Sequence, residues 1–376
     1  MASSGENEET PLPFTLSRFQ VSEDYGFLLP NPLMELPAPY GPWMEIASSL
    51  PQLIASRQLR SRLHQVPSRI PGVLGLKKLH LAHLVLSFLT MGYLWQEGEE
   101  GTVKVLPRNL AVPFWEVSQR LGLPPILSHA DFVLANWKRK TPGGNLDPII
   151  SLPGGESLRG FILVTLLVEK AAVPGIKVLR SREPAGAHAR ALPCCCHLAQ
   201  RANRSQPLHD YVDPAVFYSV IRIFLSGWRD NPAMPHGLVY QGVSEEPLAY
   251  SGGSAAQSSV LHAFDELLGI RHSAESTAFL HRMRDYMPPP HRAFVEEIQR
   301  APSLRQHVLS SRNGKLCAAF NQCVSALTDF RTHHIAIVTK YITTPADGAA
   351  KGTGGSHIFR FLKSVRDTTR EGMISA

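Results

Sequence analysis

The sequence predicts an all-α protein. Apolar residues recur at helical spacing along most of the 376 residues, whereas the alternating pattern of strands is sparse. Several segments also have typical helix ends: Asp213 and Pro214 supply a cap and a first-turn proline, and Gly227 follows the apolar run that they begin. With 44% hydrophobic residues the chain can bury a large core, and its length favours two domains over one.

The candidate helices follow from the apolar period, in chain order. They are residues 44–62, 76–95, 130–139, 158–173, 214–226, 258–269, 275–285 and 315–343. The run 79–95 contains two histidines and is shorter than the roughly 20 residues of a membrane span, so we interpret it as a buried helix. The Gly- and Pro-rich residues 141–157 predict a linker between a small helical domain (1–150) and a larger helical domain (151–376).

Residues 180–208 differ from the rest of the chain. Their sequence, RSREPAGAHARALPCCCHLAQRANRSQPL, is rich in Arg, Ala, Pro, Cys and Ser, and its few apolar residues keep no helical period. Such a composition resembles translation in a shifted reading frame or an alternative exon. We therefore expect poor order in this atypical segment.

Charge and cysteine content argue against several classes of protein. The net charge is +7, but the basic residues are scattered without interleaved aromatic side chains, so we expect no nucleic-acid partner. None of the five cysteines forms a CxxC pair, which argues against a zinc site or a disulfide framework. The N-terminal MASSGENEETPLPF is acidic and lacks an apolar signal region. We expect a cytoplasmic monomer without a membrane partner.

The stretch FRTHHIAIVTKYI (330–342) carries two adjacent histidines within an apolar pattern. Adjacent helical side chains point about 100° apart, so the two histidines cannot share one role. One apolar stripe passes through His334 and leaves His333 to the side; it comprises Phe320, Cys323, Val324, Leu327, Phe330, Ile337, Val338 and Tyr341. His334 should face inward as a satisfied core residue, an acid or base, or a metal ligand. His80 and His83 are rival ligand candidates on chemistry alone.

Three stretches together resemble the indoleamine 2,3-dioxygenase family: GGSAAQSSV (252–260), FLHRMRDYMPPPHR (279–292) and RTHHIAIVTKYI (331–342). VLPRNLAVP (105–113), DFVLANWK (131–138), FYSVIRIFLSGW (217–228) and GTGGS (352–356) extend the resemblance over nearly the whole chain, except residues 180–208. It implies a two-domain haem dioxygenase fold in which the small domain caps a larger, haem-binding domain. It also implies haem b as cofactor, and L-tryptophan, related indoles and O2 as ligands, with cleavage of the indole C2–C3 bond to N-formylkynurenine.

The resemblance also implies roles for individual residues. His334 would be the proximal ligand of the haem iron, and Arg331, one turn earlier, would reach a propionate. Gly253 and Ser254 would approach the haem. Arg222 would bind the substrate carboxylate; an unpaired guanidinium within VIRIFL would be costly to bury, although a rim arginine packed along its helix is the alternative. The other substrate-binding positions would be Phe217, Leu225, Phe161, Ile162, Thr165, His129, Phe132, Val133, Ser254, Ala255 and Thr353.

Four of these positions depart from the tryptophan-efficient members of the family. Those members usually have tyrosine, cysteine, phenylalanine and serine where this chain has His129, Phe132, Ile162 and Thr165; three of the changes resemble the second, less active mammalian paralogue. A misplaced substrate can cost about 100-fold in rate, so we expect weak turnover. Two alternatives stay open: a haem-binding or signalling paralogue without useful catalysis, and an inactive isoform that residues 180–208 prevent from holding haem. The resemblance gives His80 and His83 no role, so we interpret them as structural.

Overall fold

The computed structural model describes residues 15–67, 74–141, 144–178, 211–343 and 358–375. Helices predominate within these ranges, which confirms the all-α prediction. The α-helices are α1 (Gly41–Ser48), α2 (Leu50–Ala55), α3 (Leu59–His64), α4 (Leu76–Trp95), α5 (Arg108–Leu121), α6 (Gly155–Ala171), α7 (Val173–Val178), α8 (Pro214–Val216), α9 (Ser259–Leu268), α10 (Ala274–Arg284), α11 (Pro289–Arg300), α12 (Leu304–Ser311), α13 (Gly314–Val338) and α14 (Ile358–Glu371). Turns of 3-10 helix span Leu16–Phe19, Ala38–Tyr40, Arg222–Leu225 and Ala255–Gln257, and π-helical turns span Ala130–Ala135, Phe217–Ile221 and Thr339–Thr343.

The strands of the described residues are two residues long and form two small ladders. β1 (Val105–Leu106) pairs in parallel with β4 (Val239–Tyr240), and β2 (Lys138–Arg139) pairs antiparallel with β3 (Leu146–Asp147). Strands this short present no face on which a core could be built. They connect loops, and the helices supply the core.

The helix predictions succeed where the apolar period is long. The predicted helix 76–95 coincides with α4, and the predicted helix 315–343 corresponds to α13 and the π-helical turn after it. The predicted helix 44–62 is instead divided into α1, α2 and α3. Pro51 lies in the first turn of α2, where its missing N–H is tolerated, and Arg57 adopts a left-handed φ of 59° between α2 and α3. The predicted helix 130–139 is a π-helical turn that ends at Ala135. The sequence interpretation missed α5, α7, α11, α12 and α14.

Helix α4 lies within the hydrophobic core, and every residue from Leu81 to Trp95 is buried. Gly92 allows α2 and α3 to approach its backbone. A Cβ at this position would lie 2.9 Å from Cδ2 of Leu59 and 3.1 Å from Cδ1 of Ile54. A larger residue would therefore push the neighbouring helices away. Although α4 is apolar, no helix among the described residues has the length and hydropathy that crossing a bilayer requires.

A buried histidine–aspartate pair connects α4 to the π-helical turn Ala130–Ala135. Nδ1 of His83 lies 2.6 Å from Oδ1 of Asp131, and Oδ2 of Asp131 accepts hydrogen bonds from the backbone N–H and the hydroxyl of Ser128. Both side chains of the pair are almost completely buried. This arrangement holds the turn against the core and supports the structural interpretation of His83. Burial, together with the charge of His83, lowers the pKa of His80 to about 4, so His80 is uncharged at neutral pH.

Described residues on both sides of the predicted boundary at residue 150 share one hydrophobic cluster. Phe27 packs edge-on against Phe294 with ring centroids 5.6 Å apart. Nε1 of Trp95 donates a hydrogen bond of 3.1 Å to the carbonyl oxygen of Ser226. The division into two domains stays a prediction. The atypical segment 180–208 lies outside the described residues.

Candidate active site

Two neighbouring cavities of about 190 Å³ each lie between the helices and share part of their walls. The first, here the Arg222 cavity, is also lined by Phe217, Arg222, Asp265, Arg331 and residues of α14. The second, here the His129 cavity, is also lined by His129, Phe132, Thr165 and Glu169. The residues that line both cavities, here the shared wall, are Phe161, Leu225, Gly253, Ser254, Ala255, Leu261, Phe330, His334 and Ile337.

Helix α13 carries His334 into the shared wall. The beginning of its apolar stripe, at Phe320, is fully buried in the core. Further along the same stripe, Phe330, His334 and Ile337 line both cavities. His333 lines neither of them. The two adjacent histidines therefore have the separate surroundings that the helical period predicts.

The ring of His334 is suited to binding a metal ion. Burial is the main reason that its pKa is lowered to about 4, and the charges of His333 and Arg331 lower it further. The imidazole is therefore uncharged at neutral pH, and no hydrogen bond ties either of its nitrogens to another described residue. A neutral imidazole with an available lone pair is a common metal ligand.

A metal ion on His334 would need further ligands from outside the described residues. Within the described part of the chain, no group of three or more His, Cys, Asp or Glu side chains is placed to hold a metal ion. A prosthetic group that brings its own metal requires only one protein ligand. The surroundings of His334 fit such a group, because aromatic and aliphatic side chains form most of the shared wall and the Arg331 cation lines the Arg222 cavity.

Arg331 is held in place by its neighbours. Its Nη2 lies 2.7 Å from Oδ2 of Asp265, and its Nη1 donates a hydrogen bond to the hydroxyl of Thr369 on α14. The same carboxylate oxygen lies 2.9 Å from Nε2 of His272. Burial alone would raise the pKa of Asp265, but the Arg331 guanidinium and the His272 ring hold that pKa well below its usual range. The ionised carboxylate fixes the position of the cation one turn from His334.

Arg222 enters its cavity from a helical segment that changes pitch. Helix α8 continues into the π-helical turn Phe217–Ile221 and then into the 3-10 turn Arg222–Leu225. The guanidinium carbon lies 5.5 Å from the ring centroid of Tyr218, an arrangement that stabilises a cation. Each π-helical turn of the described residues contributes to a cavity wall, through Phe132, Phe217 and Tyr341 respectively. Such turns are often found at functional sites.

A loop formed by residues 252–257, here the Gly252 loop, supplies the small residues of the shared wall. Gly227 allows it to lie against the end of the Arg222 segment, because a Cβ at Gly227 would collide with the backbone nitrogen of Gly252. The buried Gln257 holds the loop from inside. Its Nε2 donates to the carbonyl of Gly252 at 2.9 Å, and its Oε1 accepts the backbone N–H of His129 at 3.0 Å.

The His129 cavity contains a buried histidine–glutamate pair. Nε2 of His129 lies 2.8 Å from Oε1 of Glu169 on α6, and the same oxygen accepts a hydrogen bond of 2.6 Å from the hydroxyl of Ser258. Glu169 is 2% exposed, and its Oε2 has no hydrogen-bond partner among the described residues. Thr165, one turn before Glu169, donates its hydroxyl to the carbonyl of Ile162 in its own helix at 2.9 Å. Its hydroxyl is thus used within α6.

Most of the residues expected at the site line one cavity or both. They are His334, Arg331, Arg222, Phe217, Leu225, Phe161, Thr165, His129, Phe132, Val133, Gly253, Ser254 and Ala255. Ile162 lines neither cavity, and its side chain is fully buried in the core. Thr353 lies outside the described residues. His80 lines a separate cavity of about 320 Å³ together with His291, away from His334.

Several lining residues were missed in the sequence interpretation, although the sequence carries a signal for some of them. Glu169 is a charged residue in the apolar period of α6, one turn after Thr165. Helix α14 contributes Ile358, Phe361, Leu362 and Val365, which have the spacing of one helical face. His262 has no such signal; it is positioned by α9, and its Nε2 donates to the carbonyl of Ala256 in the Gly252 loop at 2.8 Å.

The fold and the site define a helical protein with two adjoining cavities, whose shared wall contains the uncharged His334. The family model described as indoleamine 2,3-dioxygenase matches residues 15–372. Indoleamine 2,3-dioxygenase 2 of Homo sapiens is 56% identical to this chain over 98% of both. Indoleamine 2,3-dioxygenase 1 of Mus musculus is 44% identical over 96% of both, and a myoglobin of Haliotis madaka is 40% identical over 95% of this chain and 98% of its own. The chain belongs to the indoleamine 2,3-dioxygenase family, and its greater identity to the second paralogue confirms the resemblance found in the sequence.

Proposed function

We propose that the protein is a haem-dependent dioxygenase that cleaves the indole C2–C3 bond of L-tryptophan with O2 to give N-formylkynurenine, with weak turnover. The observation that carries this proposal is His334, which is uncharged, makes no hydrogen bond to the described residues and lies in the wall shared by both cavities. Family membership and the names of the relatives support the reaction. We also propose that the protein is cytoplasmic and monomeric, as expected from its sequence.

The proposed cofactor is haem b. His334 would hold its iron, and Arg331 would bind a propionate, with Asp265 and Thr369 holding the guanidinium in place. Gly253 and Ser254 in the Gly252 loop would contact the macrocycle. When bound, the haem would supply the redox chemistry that activates dioxygen.

Arg222 is the proposed partner of the substrate carboxylate, for which its planar guanidinium is well suited. The indole would then lie against Phe161 and Phe132, whose ring centroids are 5.8 Å apart. All atoms of L-tryptophan and O2 are retained in N-formylkynurenine, so the reaction needs no net proton or electron from the protein. The side chains would contribute by holding the substrate in place and by excluding water.

Weak turnover follows from the shape of the indole site. Thr165 and His129 line the His129 cavity, so a change at either position alters the surface that an indole contacts. Ile162 would act less directly, by packing behind that surface. Small displacements of a bound substrate are enough to lower the rate strongly.

A second candidate is a haem-binding protein without useful catalysis. It is favoured by the relative named myoglobin, which shares this fold family at 40% identity. The absorption spectrum of the reduced protein with CO, followed by a kynurenine assay, separates the candidates. A haem–CO spectrum with slow product formation is expected. The same spectrum without product would favour the second candidate, and a protein that retains no haem would overturn both and favour the inactive isoform.

A further inference from the structure

A third cavity, here the His80 cavity, lies outside the proposed active site. Its volume is about 320 Å³, and it is enclosed by residues 17–30, the start of α4, the π-helical turn Ala130–Ala135 and the start of α11. It shares no lining residue with the Arg222 cavity or the His129 cavity. The same π-helical turn presents Leu134 to the His80 cavity and Phe132 to the His129 cavity. The proposed function gives this third cavity no ligand.

The walls of the His80 cavity are mostly apolar, and their charged or titratable side chains are all basic. Aliphatic side chains and Phe27 form most of the lining, and Lys77, His80 and His291 also belong to it. No aspartate or glutamate is among the described residues of this lining. An apolar cavity with a few polar groups is typical of a small-molecule site. The cavity therefore suits a ligand that is apolar over most of its surface and has one acidic group.

The two histidines of the cavity lack an acidic partner. Burial is the main reason that the pKa of each ring is lowered to about 4; His83 lowers the pKa of His80 further, and His80 lowers that of His291. Asp131 and Glu169 raise these pKa values, but each of these carboxylates is bonded to a histidine outside the cavity. Both rings are therefore uncharged at neutral pH and would gain from an anion beside them.

The two rings also have hydrogen-bonding capacity that the described residues do not use. The side chain of His80 makes no hydrogen bond to them. His291 is 5% exposed and is hydrogen-bonded to the backbone of Gln20, while its Nδ1 has no partner among the described residues. A buried polar atom without a partner is costly. A carboxylate beside a ring accepts its N–H, and it favours the protonated ring, in which both nitrogens donate.

We propose that the His80 cavity binds an apolar monocarboxylic acid, with the carboxylate at His80 and His291 and the hydrocarbon or aromatic part against the apolar walls. One ring takes up a proton from the solvent when the carboxylate binds. The exposed Lys77 adds a positive charge to the same lining. A metal ion is less suited, because no group of three His, Cys, Asp or Glu side chains is placed to hold one in the described part of the chain. The inference does not depend on the proposed function.

Calorimetry on the full-length protein tests the site with 3-phenylpropanoate as the probe. Its amide has the same shape without the charge, and propanoate has the carboxylate without the ring. At pH 6 the 3-phenylpropanoate should bind about tenfold more tightly than either compound. The acid-to-amide ratio should decrease towards pH 8, because a proton is bound together with the carboxylate. Equal binding of acid and amide at pH 6, or a ratio that is the same at both pH values, would overturn the inference.

A carboxylate could also bind at Arg222, and the Arg222→Ala protein separates the two sites. Binding of 3-phenylpropanoate to the His80 cavity should persist in this variant, because Arg222 does not line that cavity. Loss of binding in Arg222→Ala would assign the acid to the Arg222 cavity and overturn the inference.

Variants of the lining assign the preference for the acid to the His80 cavity. His80→Phe keeps a ring and removes both nitrogens, so the acid-to-amide ratio should decrease to about one. His281→Phe, the same substitution at an exposed position of α10, should leave the ratio unchanged. A ratio that survives His80→Phe would overturn the assignment.

The lysine of the lining gives a second test that does not alter the core. Lys77→Gln should lower the acid-to-amide ratio about two- to threefold, because it removes an exposed positive charge. Lys78→Gln is the matched control, since this neighbouring lysine is also exposed and does not line the cavity. Equal ratios in the two lysine variants would also overturn the assignment.

Discussion

The Arg222 cavity and the His129 cavity share one wall but differ in charge. The Arg222 cavity contains two guanidinium groups and one carboxylate, from Arg222, Arg331 and Asp265. The His129 cavity contains one carboxylate, Glu169, which is bonded to an imidazole and a hydroxyl and not to a lysine or arginine. The first cavity is therefore suited to anionic groups and the second to a hydrogen-bond donor. The two cavities thus have similar apolar walls and differ in the polar residues that accompany those walls.

Removal of His334 tests the function proposed for the wall that the two cavities share. Its effect on haem binding should be the largest of the effects predicted here. His334→Ala should abolish stoichiometric haem binding, because the proposed iron would lose its protein ligand. His333→Ala is the matched control; this neighbour lines neither cavity and its loss should leave haem content unchanged. Haem content is measured from the absorption spectrum of the purified protein. Unchanged haem in His334→Ala would remove the basis of the comparison.

Removal of Asp265 tests whether charge pairing holds the Arg222 cavity together. Asp265→Ala leaves the buried Arg331 cation without its carboxylate and should lower the free energy of unfolding by about 3–5 kcal/mol. The control is Asp285→Ala, whose carboxylate pairs with Arg292 on the surface and should contribute less than about 1 kcal/mol. Urea unfolding of both variants gives the two values. Similar losses would mean that the buried pair has no special role in this cavity.

Acid should weaken the contribution of the Asp265–Arg331 pair to the free energy of unfolding within a defined pH range. Because the pKa of Asp265 is held below its usual range, the ionised carboxylate contributes stability above the unfolded value of about 3.9. This contribution is lost as the pH falls from there towards the lower folded-state pKa. Asp265→Asn cannot titrate, so its free energy of unfolding should decrease less steeply below about pH 4 than that of the unmodified protein. Parallel curves would assign the acid sensitivity to other groups.

Arg222→Ala tests whether the guanidinium in the Arg222 cavity binds the carboxylate of the substrate. It should reduce kcat/KM for L-tryptophan by the value of a hydrogen bond to a charged group, about 1.5–3 kcal/mol. Turnover of tryptamine, which has no carboxylate, should change little. Arg300→Ala, on the exposed surface of α11, serves as control. Equal losses for both substrates would show that Arg222 does not recognise the carboxylate.

Thr165→Ser should have the smallest effect on kcat/KM. It tests whether the methyl group of Thr165 narrows the His129 cavity. The hydroxyl bonds within α6 can be kept, and only one methyl group is removed, which is worth up to about 1 kcal/mol of apolar contact. If this methyl narrows the indole site, kcat/KM for L-tryptophan should rise by a few-fold. Steady-state assays of the two proteins decide the point. A decrease would mean that the methyl supports substrate binding.

The sequence predicts the fold class and the parts of the site that depend on regular helical period. Helices α4 and α13 were predicted because long apolar patterns leave few alternatives, and the inward position of His334 follows from the same pattern. Arg222 was identified because a guanidinium within an apolar run calls for an anion. The roles of these residues in a reaction required the resemblance to a family, since a period shows where a side chain points and not what it binds.

Other features depend on tertiary contacts that a local pattern does not contain. Helix α14 has one apolar face among many charged residues; that face lines the Arg222 cavity, where Phe361 packs against Phe279 of α10, and Thr369 of α14 is bonded to Arg331. The π-helical turns shift side chains such as Phe132 and Phe217 away from the positions of a regular helix. The acceptors of the His129 cavity appear only when α6 brings Glu169 to a histidine 40 residues away in the chain.

The amide of Gln257 gives the two cavities a mechanical connection. It binds the Gly252 loop through the carbonyl of Gly252 and, through its other end, holds the backbone N–H of His129. A ligand that displaces the loop must therefore move His129 or break one of these bonds. We expect a ligand in one cavity to change the affinity of the other cavity for its own ligand. The factor should be the same in both directions, because such coupling between binding sites is reciprocal. One buried glutamine thus connects the loop that is proposed to contact the haem with the backbone of His129, a proposed substrate-binding residue.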